Sequence, residues 1–173
     1  MQMRALTPAD AAAYLVYRRD TLAHDRDNPY NQNRIRQMTV EATITPVLAR
    51  IAQAARPDET GMRQRTLYLF DDANTAILGR VSMRTHLSPA MRGYAGHIGY
   101  DVAPSARGRG LAKWILRDAV AQYAGVVPFV IVSAAVGNLA SQHVIESCGG
   151  QSQGIHERDG ERYYLYQIPT TQA

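Results

Sequence analysis

The sequence predicts an α/β fold with a mixed central sheet of about six or seven strands, flanked by about four helices. Apolar runs of strand length alternate with segments of helical spacing, in the order β-αα-βββ-α-β-α-ββ. No linker, internal repeat or low-complexity segment interrupts that order. A chain of 173 residues defaults to one domain. At that size it buries roughly two-thirds of its unfolded surface, enough for a core without covalent staples.

Gln2 to Leu6 reads as a short strand. Thr7-Pro8 then starts a helix, Thr7 as N-cap and Pro8 at the first helical position, running to about His24. The polar stretch Asp25 to Gln37, with Asn28, Pro29, Asn31 and Asn33, reads as a loop. A second helix follows to about Ala55, with Ile44, Val47, Leu48 and Ile51 at helical spacing. Arg56 to Gln64 is a loop, Thr66 to Phe70 a strand, and Asp71-Asp72-Ala73-Asn74 a turn. Ala76 to His86 and Ala95 to Val102 read as strands around a loop at Ser88 to Tyr94. Leu111, Ile115, Ala119, Val120 and Tyr123 mark one face of a helix ending near Ala124. Phe129 to Ser133 is a short strand, apolar up to its last residue. Asn138 to Ser147 is a helix stopped by Gly149-Gly150, and Gln151 to Ile168 folds as a hairpin about Asp159-Gly160.

Composition narrows the function classes. Net charge is +4 and the pI about 9.4, carried almost wholly by arginine, since Lys113 is the only lysine. The arginines are scattered from Arg4 to Arg162 without a dense run, which argues for an anionic small ligand and against a nucleic-acid partner. No apolar run approaches the ~20 residues of a membrane span, and the first ten residues lack an apolar leader. Cys148 is the single cysteine, so no internal disulfide forms, consistent with a cytoplasmic setting. No His, Cys or acidic cluster has metal-ligand spacing, so no metal is expected.

The most informative stretch is Arg107-Gly108-Arg109-Gly110-Leu111-Ala112, between a strand and a helix. Free N–H groups at a helix start, with the helix dipole behind them, form an anion cradle. Gly108 and Gly110 let the backbone approach a phosphate, and Arg107, Arg109 and Lys113 add charge. The string is not a Walker loop, and Lys113 stands where a dinucleotide fingerprint needs its third glycine.

What fits is Arg-x-x-Gly-x-Ala, Arg107 through Ala112, which resembles the pyrophosphate signature of the GCN5-related N-acetyltransferases (GNAT). Asn138-Leu139-Ala140-Ser141 through Gly149-Gly150, about thirty residues downstream, resembles the family's pantetheine-contacting helix. Gly96-His97-Ile98-Gly99-Tyr100, with Val102 and Pro104, resembles one bacterial subgroup of predicted acetyltransferases. The resemblance covers roughly Leu67 to Ile168. It implies one acetyltransferase domain over 1–173, with variable acceptor-side helices in 1–60 and an acetyl-CoA core in 66–168. It also implies a splay between the fourth and fifth strands. There the pantetheine arm meets the backbone of Tyr100 and Val102, the pyrophosphate meets Arg107, Gly108, Arg109, Gly110, Leu111 and Ala112, and Asn138 and Ser141 contact the arm from the next helix.

The implied reaction is direct attack of an amine on the thioester. His97 is the expected base, near where some family members carry a catalytic Glu. Arg84 and His86 on the third strand are alternatives and are expected to meet the acceptor. Many relatives carry a Tyr acid seven residues after the Asn; Ile145 stands there and donates nothing. Ser141 or Tyr164 would then serve, or the thiolate would leave unaided. The expected acceptor is a small-molecule amine. A protein amine, aminoacyl-tRNA and a non-catalytic acyl-CoA-binding module are the alternatives. Family analogy adds a homodimer formed through an edge strand.

Overall fold

The computed structural model describes residues 1–91 and 93–170. Arg92, inside the expected loop at 88–94, and residues 171–173, at the end of the expected domain, lie outside the described residues. Strand β1 (Gln2–Arg4) leads through a single turn at Pro8–Asp10 into helix α1 (Ala11–His24). Asp10 closes that turn by accepting from the Thr7 N–H and hydroxyl and from both ends of the Arg4 guanidinium.

The region after α1 departs from the expected loop and single helix. A helix α2 spans Gln32–Val40 and a separate helix α3 spans Ile44–Ala54. Arg34, Ile35 and Met38 bury one narrow face of α2. The many Asn and Gln residues of α2 hide that helical spacing in the sequence. Pro46 is tolerated because it sits in the first turn of α3, where its missing N–H costs no helical bond.

Strands β2 (Gln64–Phe70), β3 (Ile77–Arg84) and β4 (Ile98–Val102) complete a four-stranded sheet ordered β1-β2-β3-β4. After β4 come helix α4 (Leu111–Ala121), strand β5 (Phe129–Ala135), helix α5 (Leu139–Ser147) and strands β6 (Gln151–Arg158) and β7 (Glu161–Pro169). The last three strands form a second sheet ordered β5-β7-β6. The described residues thus form an α/β fold with five α-helices and two sheets. Every ladder pair among the described residues is antiparallel, and the seven strands divide into two sheets where β4 meets β5, the place of the expected splay.

The two faces of the first sheet differ in kind. On one, Val81, Met83 and Ile98 meet the buried row Leu111, Ile115, Leu116 and Ala119 of α4. Each such aliphatic side chain contributes about 1.5–3 kcal/mol by leaving water. Helix and sheet approach so closely that a Cβ at Gly79 would lie 2.8 Å from the Ile115 Cδ1. The other face, under α1 and α2, presents Thr66 and Tyr68 of β2, Arg80, Ser82 and Arg84 of β3, and Asp101 of β4. A sheet face covered by helices is ordinarily apolar; this one is polar.

Candidate active site

The seam between β4 and β5 is closed at one end only. The His97 N–H donates to the Ile131 carbonyl at 2.7 Å, and the Ile131 N–H donates to His97 Nδ1 at 2.9 Å. Gly96 makes this pinch possible, since a Cβ there would stand 2.7 Å from the Ile131 carbonyl oxygen. The Ala103 N–H bonds back to the Leu78 carbonyl on β3. By strand alternation Gly99 and Asp101 also face β3, while Tyr100 and Val102 turn their backbone groups toward the seam. Across the seam the Tyr100 hydroxyl lies 3.1 Å from the Ser141 Oγ in the first turn of α5. Burial pushes the Tyr100 hydroxyl up to about 12.

At the mouth of the seam stands the glycine loop. Gly108 and Gly110 have φ of 75° and 74°, the left-handed region. Gly110 precedes α4, and the first bond into the helix is from the Trp114 N–H to its carbonyl. The N–H groups of residues 108–113 have no protein acceptor among the described residues, leaving a row of donors at a helix N-terminus. A groove of about 570 Å³ opens beside them, lined by Arg109, Gly110, Leu111, Lys113, Trp114 and Arg117. Trp114 is one-third exposed, and sequence reading passed over it because a helical Trp reads as core.

Arg107 differs from the expectation. Its guanidinium does not point free into the cradle but grips Asp25, past the end of α1, through paired contacts of 2.8 and 2.9 Å. Asp25 is 2% exposed and also accepts from Asn28 and Asn31. Nearby, Asp20 accepts from the N–H and hydroxyl of Ser105, so two α1-side carboxylates hold the start of the loop. Burial alone would push the Asp25 carboxyl up, but the bonds from Arg107, Asn28 and Asn31 hold it below the usual value. A depressed carboxyl stabilises the fold fully above its unfolded value of about 3.9, and that stability is lost as pH falls through the folded value. Asp25→Ala should cost about 1–3 kcal/mol in urea unfolding, less than a fully buried pair because Arg107 is half exposed. The deficit should shrink as pH falls through the folded value of that carboxyl.

The other expected residues fall as follows. His97 clips β4 to β5. Its Nδ1 lone pair is taken by the Ile131 N–H, which leaves the proton on Nε2. Burial lowers its pKa further, and its ring packs edge-on against Tyr123 at 6.1 Å. Arg84 lies on the polar face, with Nη1 donating to the Gly96 carbonyl at 2.7 Å. His86 is exposed beyond the end of β3, near the Thr60 carbonyl, and is not gathered with the seam residues. The Asn138 Oδ1 caps α5 by accepting from the Ser141 N–H at 3.1 Å, and its amide donors have no protein partner among the described residues. Ile145 is fully buried. The ring of Tyr164 stacks near Tyr166 at 6.1 Å, on the second sheet. Burial raises the Cys148 thiol, the reverse of an activated nucleophile. Asp101 was missed by sequence reading: it accepts from Tyr17 of α1 and, at 2.9 Å, from Arg80 Nε. No sequence signal marks it, because the pairing joins three elements distant in the chain.

The fold has relatives among solved structures. A ribosomal L7/L12 alpha-N-protein acetyltransferase, RimL, in complex with coenzyme A superposes with a TM-score of 0.63 at 16% identity, over 96% of this chain and 92% of that one. A chimeric spermidine N-acetyltransferase from Vibrio cholerae and hSSAT gives 0.62 at 17%, over 98% and 95%. A putative acetyltransferase, yncA, from Salmonella typhimurium with its cofactor acetyl-CoA gives 0.55 at 14%, over 99% and 95%. No curated protein matches the sequence. The family model described as "Acetyltransferase (GNAT) domain" matches residues 1–151. With that match over most of its length, the chain belongs to the GNAT acetyltransferase family.

Proposed function

We propose that this protein is an acetyl-CoA-dependent N-acetyltransferase that passes the acetyl group directly to a primary amine of a small molecule. One observation carries the reading: the seam between β4 and β5 opens onto a row of unpaired N–H groups at the start of α4. A diphosphate suits that row, with Arg109 and Lys113 beside it. The amide-bearing pantetheine arm suits the backbone of Tyr100 and Val102 as an added strand, and Asn138 at the start of α5 keeps its amide donors free of protein partners among the described residues. Arg107 serves this site indirectly, by fixing the loop to Asp25.

The chemistry follows from that placement. The amine nitrogen attacks the thioester carbon, the C–S bond breaks, and the amine proton passes to solvent. Negative charge develops on sulfur, whose thiol pKa is near 8.5. The Tyr100 hydroxyl, protonated at neutral pH and paired with Ser141, stabilises that charge by donating a hydrogen bond. This pair does the work that Ile145 cannot. The base role expected of His97 is not kept, since neither ring nitrogen has a free lone pair.

A free-thiol release assay over free amino acids, polyamines, aromatic amines and N-terminal peptides tests the reading. Release with small amines is expected. Release with peptides alone would transfer the reading to protein acetylation, and none with any amine would remove the enzymatic assignment. Tyr100→Phe should lower kcat with acetyl-CoA about tenfold or more. The loss should shrink with acetyl thioesters of more acidic thiols, which need less help in leaving; an equal loss across thioesters would make Tyr100 merely structural.

A further inference from the structure

The polar face of the first sheet carries an unbalanced charge. Arg34 of α2 and Arg80 and Arg84 of β3 bring three guanidinium groups to it, against the single carboxylate of Asp101. Asp101 is committed to Arg80 and Tyr17. The neighbouring acid from the helices, Glu41, is committed to Arg50. Arg18 of α1, close to the same cluster, adds another guanidinium, held on the Met38 carbonyl. Arg84 therefore lacks a counter-charge among the described residues, and Arg34 has only a share in the field of Asp101.

Their donors are also short of acceptors. Arg34 is only 3% exposed, yet its sole hydrogen bond is a long one of 3.5 Å to the Tyr68 hydroxyl. Its Nε and Nη1 are buried without a partner among the described residues, as is the Nε of Arg84. Buried guanidinium donors normally meet a carboxylate or carbonyl, because leaving them unpaired is costly. Two such groups on one face, in a protein whose other buried ion pairs are matched, point to a negative charge that the chain itself does not supply.

We infer that the acceptor amine also bears a carboxylate, taken up on this face by Arg84, with Arg34 adding positive charge to the same face. The inference rests on the acetyl-transfer reading above and narrows its acceptor to amino-acid-like molecules. Arg84 is the more accessible of the two, and its guanidinium is already oriented by the Gly96 carbonyl, beside the closed end of the seam. A planar guanidinium so fixed is preorganised for a carboxylate. A polyamine would bring several more positive charges to a face already in excess, and the carboxylates needed to receive it are committed elsewhere.

Matched amines that differ only by the carboxylate test this: tyrosine against tyramine, histidine against histamine, lysine against cadaverine. Thiol release should favour the carboxylate member of at least one pair by about 10- to 100-fold in kcat/KM, the range of a charge-assisted hydrogen bond. Arg84→Gln should collapse that ratio to a few-fold, and Arg84→Lys should restore part of it. A preference for the decarboxylated amines or for spermidine would overturn the inference, as would an Arg84→Gln ratio equal to the parent's. Calorimetric titration of the N-acetyl amino acid against the N-acetyl amine provides a readout without turnover. Silence of the thiol assay would fail the acetyl-transfer reading alone, while the titration would still decide the carboxylate. Equal binding of the two products, with Arg34 and Arg84 satisfied by ordered water in a crystal, would overturn it.

Discussion

Replacing Gly110 by valine should weaken acetyl-CoA binding by about 30-fold or more. Gly110 holds a left-handed backbone with φ of 74°, a conformation that costs an L-residue roughly 1–2 kcal/mol and a β-branched one more. That range alone corresponds to about 5- to 30-fold in Kd. Relaxing the strain would also turn the N–H groups of the loop away from their common focus, and the proposed diphosphate contact rests on that row of donors. Nothing lies within 4 Å of a Cβ at Gly110, so the loss would come from backbone conformation and not from a clash inside the protein. Gly110→Asn, which tolerates the left-handed region, should lose far less. Titration calorimetry with acetyl-CoA reads both variants, and an unchanged Kd for the valine variant would remove the loop from the donor site.

Gly96→Ala should be the most damaging small substitution in the sheets. The added methyl would meet three backbone atoms of β5, at 2.7 Å from the Ile131 carbonyl, 2.8 Å from the Val132 Cα and 3.1 Å from the Ser133 N. Backbone cannot rotate aside as a side chain can, so β5 must shift away from β4. Such overpacking costs about 1–3 kcal/mol. In a domain of this length that lowers the melting temperature by roughly 2–12 °C. Acyl-donor affinity should fall along with it, because the pinch at Gly96 and His97 sets how far the seam opens. Gly99→Ala is the control: its methyl would meet only the rotatable Ser82 hydroxyl, at 3.2 Å, and should melt close to the parent. Equal melting temperatures for the two variants would show that the pinch does not fix the seam.

What the sequence could convey followed from how local its signals were. The loop from Arg107 to Ala112 is contiguous, and its glycines, strand before and helix after all lie within one short window; it stands in the structure as read. Asn138 at the start of α5 was legible for the same reason. Helix α2 was not, because its buried face is narrow and one of its buried members is an arginine. The division of the sheet at β4 and β5 was implied by family resemblance alone, and no periodicity reports where two strands part company. The partner of Arg107 was equally hidden: Asp25 is 82 residues away, in a stretch whose polar composition reads as solvated loop. His97 was placed at the right strand end, but the hydrogen bond it accepts from a backbone N–H of β5 was not legible.

Helix α1 touches both halves of the chemistry. Midway along, Tyr17 bonds Asp101 on the polar face; toward and beyond its C-terminus, Asp20 and Asp25 hold Ser105 and Arg107 at the glycine loop. Fourteen residues of helix make a rigid rod of about 21 Å. Anything that pushes on Tyr17 therefore leans on the loop as well. Thermodynamic linkage makes such a connection symmetric: the factor by which the first substrate alters the affinity of the second equals the factor in the opposite order. The polar face and the glycine loop thus share α1 as a common support, and a coupling carried through it would be equal in either order of binding.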